Sequence, residues 1–321
     1  MKVGFIGLGN AGGKLAGSLI RNGYDLTVRD LNKEFVNKLV ERGANSGRSP
    51  KEMAEHCDVM ITCLPSPKIC SEVMESKDGV LAGLSKGKIW LEMSTTDEAE
   101  IRRIGALVDA VGALPIDCPV SGGCHRADTG NISIFAGCKR EAFELALPIL
   151  TTMGRRVLHT GDLGTASKLK VMTNYLATVN LTSIAEALTT MKVLGMDMNV
   201  TYEAIKASSG NSFVHETESQ VILNGSRDIS FTMDLVSKDV GIFNELAKRK
   251  GLDLEIAPLI VDIFKDGEKR YGSRELSPNI IKRLEEKIGI EVLGEGFPPE
   301  ILDDEPEETG YEVVIKGRQD Y

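Results

Sequence analysis

Gly7, Gly9 and Gly12 stand in the spacing G-x-G-x-x-G within Gly7-Leu8-Gly9-Asn10-Ala11-Gly12. In a chain with 33 glycines the pattern alone says little. Its surroundings give it chemistry: it follows the apolar run Val3-Gly4-Phe5-Ile6, opens a helical stretch closed by Gly23, and precedes a second apolar run ending at Asp30. Glycines there let the chain turn and let a pyrophosphate approach main-chain N–H groups at the positive end of a helix. A carboxylate closing the second strand accepts hydrogen bonds from both ribose hydroxyls of NAD and repels the 2′-phosphate of NADP. Arg29 is the competing group, since a guanidinium receives such a phosphate, but alternation with Asp30 along the strand directs it to the opposite face. The expectation is NAD rather than NADP, held by Gly7, Leu8, Gly9, Asn10, Ala11, Gly12 and Asp30.

The elements that must position these residues are short apolar runs at Lys2 to Ile6, Asp25 to Val28, Asp58 to Leu64, Lys88 to Met93 and Leu114 to Asp117, with amphipathic stretches between most of them. Strand and helix alternating at this pace predict a parallel sheet covered on both faces. Gly43 to Ser49 reads as a polar turn, and Ser49-Pro50-Lys51-Glu52 opens a helix with a capping Ser and Pro at its first position. After Gly164 the texture changes. Ser167 to Leu194 holds no Gly or Pro and spaces apolar residues as a single long helix does, and the pattern stays helical over Val200 to Ala207, Met233 to Lys248, Pro258 to Tyr271 and Ser277 to Ile288. The predicted division is 1–163, 164–290 and a remaining 291–321, where glycines, prolines and a crowd of Asp and Glu read as a loosely ordered acidic tail.

Composition excludes several functions. With 38 Lys and Arg against 47 Asp and Glu the net charge is -9 and no basic cluster offers a seat for a phosphate backbone, so a nucleic-acid partner is not expected. Residues after 300 supply about half of that negative charge, which therefore says little about the substrate. No apolar run reaches the roughly 18 residues of a membrane span, and the start at Met1-Lys2-Val3 leaves no room for a secretory leader, so cytoplasmic residence is the expectation. Six cysteines form no C-x-x-C pair and four histidines are scattered, which predicts no metal site.

Seven segments in order carry a resemblance to the β-hydroxyacid dehydrogenases (3-hydroxyisobutyrate dehydrogenase-like) over roughly residues 2–290. Besides Phe5-Ile6-Gly7-Leu8-Gly9 they are Cys63-Leu64-Pro65, Met93-Ser94-Thr95, Asp117-Cys118-Pro119-Val120-Ser121-Gly122-Gly123, Gly164-Thr165-Ala166-Ser167-Lys168-Leu169-Lys170, Asn174, and Phe231, Leu235, Lys238 and Asp239. The resemblance implies an α/β chain with an N-terminal Rossmann domain, doubly wound around a parallel sheet, and an all-α C-terminal domain joined to it by the long helix. It implies an oxidoreductase interconverting a small 3-hydroxycarboxylic acid and its semialdehyde or keto acid, assembled as a homodimer or homotetramer. Lys170 is implied as general acid and base with Asn174 beside it, Ser94, Ser121, Gly122 and Gly123 as substrate-binding, and Leu64, Pro65, Thr95 and Lys238 as further cofactor-binding residues.

Elementary chemistry agrees with the transfer. Lys170 and Asn174 are i and i+4, hence neighbours on one helix face, and an amine held out of water beside a cationic ring is suited to take the alcohol proton. Lys168 lies about 200° around the helix from Lys170 and lacks such a partner. Small residues at 121–123 make a concave set of donors for a carboxylate. Thr173 stands where 6-phosphogluconate dehydrogenases carry histidine, and imine reductases usually lack the lysine.

Ala11, Glu92 and Ala166 depart from the family pattern without an expected effect. Arg126 departs more sharply: its guanidinium near the donor set either seats a second anionic group on the substrate or simply lies on the surface. The competing readings are a dinucleotide-binding sensor or interaction protein without catalysis, and an NADP-using reductase of tartronate, succinate or glyoxylate semialdehyde type.

Overall fold

The computed structural model describes residues 1–317 of the chain, which divides into two compact units: Met1–Lys170 with the described residues from Asp303 on, and Val171–Leu302. In the first unit β1 (Lys2–Ile6), α1 (Gly12–Arg21), β2 (Asp25–Arg29), α2 (Lys33–Val40), β3 (Asn45–Ser46), α3 (Pro50–His56), β4 (Val59–Thr62), α4 (Pro67–Glu75), β5 (Ile89–Glu92), α5 (Glu98–Ala110) and β6 (Leu114–Asp117) alternate as the apolar runs require. Beyond them come β7 (Val120–Ser121), α6 (Cys124–Asp128), β8 (Ser133–Gly137), α7 (Arg140–Met153) and β9 (Arg156–Gly161). α8 (Thr165–Val193) leaves this unit and enters the second, which continues with α9 (Met198–Lys206), α10 (Phe213–Asn224), α11 (Met233–Lys248), α12 (Ile256–Tyr271) and α13 (Lys282–Ile288). β10 (Tyr311–Glu312) returns to the first unit.

The sheet order runs β3-β2-β1-β4-β5-β6, all parallel, and then β8-β9-β10. The predicted runs are parallel as expected, and the departure lies in strands beyond them. β8 is antiparallel to β6 and to β7, and β9 and β10 follow β8 in direction. A parallel return needs a crossover of a dozen or more residues with a helix over the sheet, and the link from β6 to β8 holds only the five-residue α6. The reversal of order on the two sides of β1 creates the switch point at which such sheets bind ligands, outside the carboxyl ends of β1 and β4.

The fold buries what the periodicity selects. Phe5, Val28, Ile61, Leu91 and Ile116 form one apolar cluster of the first unit with α1 and α7, and Trp90, Met60 and Ile104 form another on the opposite face. α3 is capped by Ser49, whose side chain accepts the Glu52 N–H, as the Ser-Pro motif predicts. In the second unit Leu181, Ile184 and Leu188 of α8 pack with Phe264, Val240 and Ile222. A buried ion pair ties the loop after α10 to α13, with Arg227 Nη2 donating to both Glu285 oxygens at 2.7 and 2.8 Å. Among the described residues no helix is long and apolar enough to cross a membrane.

The acidic stretch departs most from expectation. From Asp303 onward it is not loose: β10 pairs in parallel with β9, and Arg21, Arg126, Arg140, Arg155 and Arg156 each form an ion pair with one of its glutamates. Composition counts the acids but cannot show that five arginines far apart in sequence converge on them. The last four residues of the 291–321 segment lie outside the described residues.

Candidate active site

The turn after β1 is shaped by steric necessity. Gly7 has φ +96°, and a Cβ on it would meet Cys63 O at 2.2 Å, while one on Gly12 would meet Gly7 O at 2.0 Å. Around Gly9, by contrast, a Cβ would meet nothing within 4 Å, which leaves open space at the loop where a pyrophosphate has to approach. Asp30 secures the loop: its Oδ2 accepts the Leu8 N–H at 2.6 Å and its Oδ1 the Asn32 N–H at 2.8 Å. Arg29 Nη1 donates to Arg48 O at 2.7 Å and to Gly47 O at 3.4 Å, on the loop between β3 and α3. Asn10 and Ala11 complete the turn into α1. This donor-rich, glycine-lined loop with a carboxylate on the next strand fits a nicotinamide dinucleotide.

The ends of β4 and β5 are linked by the residues the resemblance picks out. Ser94 Oγ accepts the Leu64 N–H at 2.7 Å, so the Leu64-Pro65 and Ser94-Thr95 loops are held as a pair. Beneath them runs a polar row that sequence reasoning passed over. Thr62, Glu92 and Asp117 are register partners across β4, β5 and β6, and all three are fully buried. Glu92 Oε2 accepts from Thr62 Oγ1 and from Cys70 Sγ, each at 2.7 Å, and its Oε1 accepts the Ser94 N–H at 2.8 Å. Burial pushes the Glu92 carboxyl up, and these hydrogen bonds oppose the rise.

Asp117 holds the start of α8. Its Oδ1 accepts from Ser167 Oγ at 2.7 Å and its Oδ2 accepts the Ser167 N–H at 2.8 Å, so a strand-end carboxylate satisfies an N–H that the helix's first turn leaves over. Burial pushes the Asp117 carboxyl up to about 7, against hydrogen bonds from Ser167 and Gly164. The same strand leads into Ser121, Gly122 and Gly123, and the two glycines turn at φ +117° and +92°. The next residue, Cys124, has its thiol raised by burial, against the charges of Lys14 and Lys170.

The two lysines of α8 differ in setting. Lys168 is exposed and stands 3.4 Å from Glu98, whereas Lys170 is 9% exposed. One turn on, Asn174 belongs to the second unit, where its Nδ2 donates to Asp239 Oδ2 at 2.6 Å and Asp239 pairs with Lys238 at 3.1 Å. Asp239 is 2% exposed. The sequence held a signal for the overlooked acids, since Glu92 and Asp117 each close an otherwise apolar strand, where a charge persists only with partners.

Comparison with known proteins follows the same division. Residues 2–161 match the family described as the NAD binding domain of 6-phosphogluconate dehydrogenase, and residues 164–284 the family described as NAD-binding of NADP-dependent 3-hydroxyisobutyrate dehydrogenase. The chain is 31% identical over 295 residues to 2-(hydroxymethyl)glutarate dehydrogenase of Eubacterium barkeri, covering 92% of this chain and 98% of the other. It is 32% identical over 291 residues to NAD-dependent L-serine dehydrogenase of Pseudomonas aeruginosa, covering 88% and 97%. The crystal structure of 3-hydroxyisobutyrate dehydrogenase from Salmonella typhimurium superposes with a TM-score of 0.81 at 27% identity, covering 88% of this chain and 99% of that one. Matched in both halves, and along nearly the whole length of these relatives, the chain belongs to the β-hydroxyacid dehydrogenase family and is an oxidoreductase that acts on hydroxyacids with a nicotinamide dinucleotide.

Proposed function

We propose that the enzyme oxidises a small 3-hydroxycarboxylate with NAD, using Lys170 as general base and, in reverse, general acid. The observation that carries this reading is the anchoring of α8 through Ser167 to Asp117, on the strand that leads into Ser121, Gly122 and Gly123, which fixes where Lys170 starts. When bound, the nicotinamide dinucleotide supplies the hydride acceptor. Lys170 Nζ takes the proton from the substrate hydroxyl oxygen, and returns it to the carbonyl oxygen in reduction. Asn174, positioned by Asp239, steadies that oxygen, while Ser94, Ser121 and the N–H groups at Gly122 and Gly123 receive the carboxylate.

The preference for NAD rests on Asp30, with Arg29 occupied by carbonyls of the neighbouring loop. Gly7, Leu8, Gly9, Asn10, Ala11, Gly12, Leu64, Pro65, Thr95 and Lys238 complete the cofactor set. In this reading residues 1–163 hold cofactor, residues 164–290 supply substrate contacts and the oligomer interface, and 291–321 is an extension. Leu176, Leu194, Val200 and Phe213 are large apolar side chains exposed in the second unit, as a homodimer or homotetramer would use. Six cysteines held as thiols suit the reducing cytoplasm.

The substrates named for the relatives share a primary hydroxyl β to a carboxylate and differ in what the α-carbon carries: a methyl, an ammonium or a second acid arm. The test is turnover of 3-hydroxyisobutyrate, 3-hydroxypropionate, glycerate, serine and threonate with NAD and NADP, in wild type, Lys170→Ala and Lys168→Ala. Lys170→Ala is expected to lose about 10²-fold or more in kcat while Lys168→Ala stays within about 2-fold. Absence of turnover on every substrate, or an active Lys170→Ala, overturns the reading.

A further inference from the structure

The stem of Arg126 runs beside the proposed carboxylate seat: a Cβ on Gly122 would lie 3.6 Å from Arg126 Cδ. Its guanidinium is taken by the C-terminal extension. Nη2 donates to Glu305 Oε1 at 3.1 Å, and Nε stands 3.9 Å from Asp303 Oδ1. The Asp303 side chain is only 2% exposed, accepts from Asn131 Nδ2 at 2.7 Å and is bonded by the Thr129 hydroxyl. Asn131 Nδ2 also donates to Glu305 O at 2.8 Å, so the extension is fixed by main chain as well as by charge. The second Glu305 oxygen lies 3.5 Å from Arg156 Nη1. Two guanidiniums thus meet two carboxylates. His125 adds nothing to the positive side, because burial, aided by Arg126, holds its imidazole below the ordinary range. The family match ends at residue 284, so Asp303 and Glu305, the acidic side of this clasp, lie beyond the matched part of the chain.

We propose that the C-terminal extension sets the substrate class: by engaging Arg126, Asp303 and Glu305 deny a second carboxylate a seat beside Ser121–Gly123 and restrict the enzyme to 3-hydroxy acids with a single carboxylate. The proposal rests on reading Ser121–Gly123 as the seat of the first carboxylate. An acid arm reaching toward Arg126 would have to displace Glu305 and stand near the buried charge of Asp303, and like charges in a partly dry site repel strongly. On this reading Arg126 is neither a bare surface residue nor an open seat for a second acid. The guanidinium is in place for the task, and the chain's own carboxylates fill it.

The experiment is calorimetric binding of butyrate and of glutarate to the NAD-loaded full-length chain. It compares wild type, Asp303→Asn/Glu305→Gln, Glu305→Gln alone, and the double variant with Arg126→Ala added. Wild type is expected to bind butyrate at least as tightly as glutarate. The double variant gains about 10-fold or more for glutarate with butyrate within about 2-fold, and adding Arg126→Ala removes the gain. Glu305→Gln, at a partly exposed position, is expected to show a smaller gain in the same direction and serves if the double variant does not fold. A wild type that binds neither anion defeats the carboxylate seat and the proposal with it. Butyrate binding with a glutarate affinity that does not move, or a gain that survives Arg126→Ala, defeats the proposal alone.

Discussion

Asp117 and Ser167 share two hydrogen bonds, one to the hydroxyl at 2.7 Å and one to the main-chain N–H at 2.8 Å, although fifty residues separate them. Through this pair a strand end decides where the helix bearing Lys170 begins. Burial raises the Asp117 carboxyl from 3.8 to about 7, so the folded state holds its proton more tightly than the unfolded chain does. Its contribution to stability is therefore complete below about pH 4 and drains away as the pH climbs through about 7. Asp117→Asn, which cannot ionise, is expected to lack this slope. Denaturant unfolding of both proteins across that window checks it, and parallel curves would contradict it.

Glu92 accepts from three donors while fully buried, and Thr62 Oγ1, one of them, already accepts the Trp90 Nε1–H at 2.8 Å. Glu92→Gln puts an amide where one carboxylate oxygen was and leaves a buried donor facing another. A loss of about 1–3 kcal/mol in unfolding free energy is expected. Because Glu92 also holds the Ser94 N–H, and Ser94 is proposed to receive the carboxylate, KM for the hydroxy acid should rise more than KM for the dinucleotide. Steady-state kinetics with each substrate varied in turn separates the two.

Asp30 has two tasks, holding the Leu8 N–H and discriminating against a 2′-phosphate. Asp30→Ser should raise kcat/KM with NADP relative to NAD by about 10-fold or more, since a charge repulsion of several kcal/mol is lifted. Efficiency with NAD should fall at the same time, because the glycine loop loses its anchor. Paired assays with the two cofactors read both effects.

Arg140 donates to both oxygens of Glu312 at 2.6 and 3.0 Å, with side chains 27% and 18% exposed. This ion pair fastens β10 to the start of α7. Glu312→Ala is expected to cost about 1–2 kcal/mol, more than an open surface pair, because the geometry is bidentate and partly shielded. Removing residues 303–321 should do more than lower the melting temperature. It bares the edge of β9, so light scattering should detect association of the truncated chain.

β1, β2, β4, β5 and β6 were legible because each lies in an apolar run, and β1, β5 and β6 were placed within a residue of their observed bounds. β3 and β7 are two residues long and β8 mixes polar with apolar positions, so neither period nor length marked them. α8 stood out through the absence of glycine and proline, but α10 did not. Of the site, the glycine loop was visible because its spacing has a mechanical meaning, and Lys170 only through likeness to a family. Glu92 and Asp117 were overlooked because their role depends on cross-strand register, which no single strand displays. The acidic segment was misread for the same reason, since its arginine partners lie on four separate stretches of chain.

The return of the last residues to the first unit also orders events during synthesis. Domains tend to fold as they emerge from the ribosome, N-terminal part first. Here the edge of β9, with Arg126, Arg140 and Arg155, must wait until the whole helical unit has been made before its partners arrive. Until then the nascent chain carries an open strand edge and arginines that lack their C-terminal carboxylates, so the closing of the clasp marks the completion of the molecule.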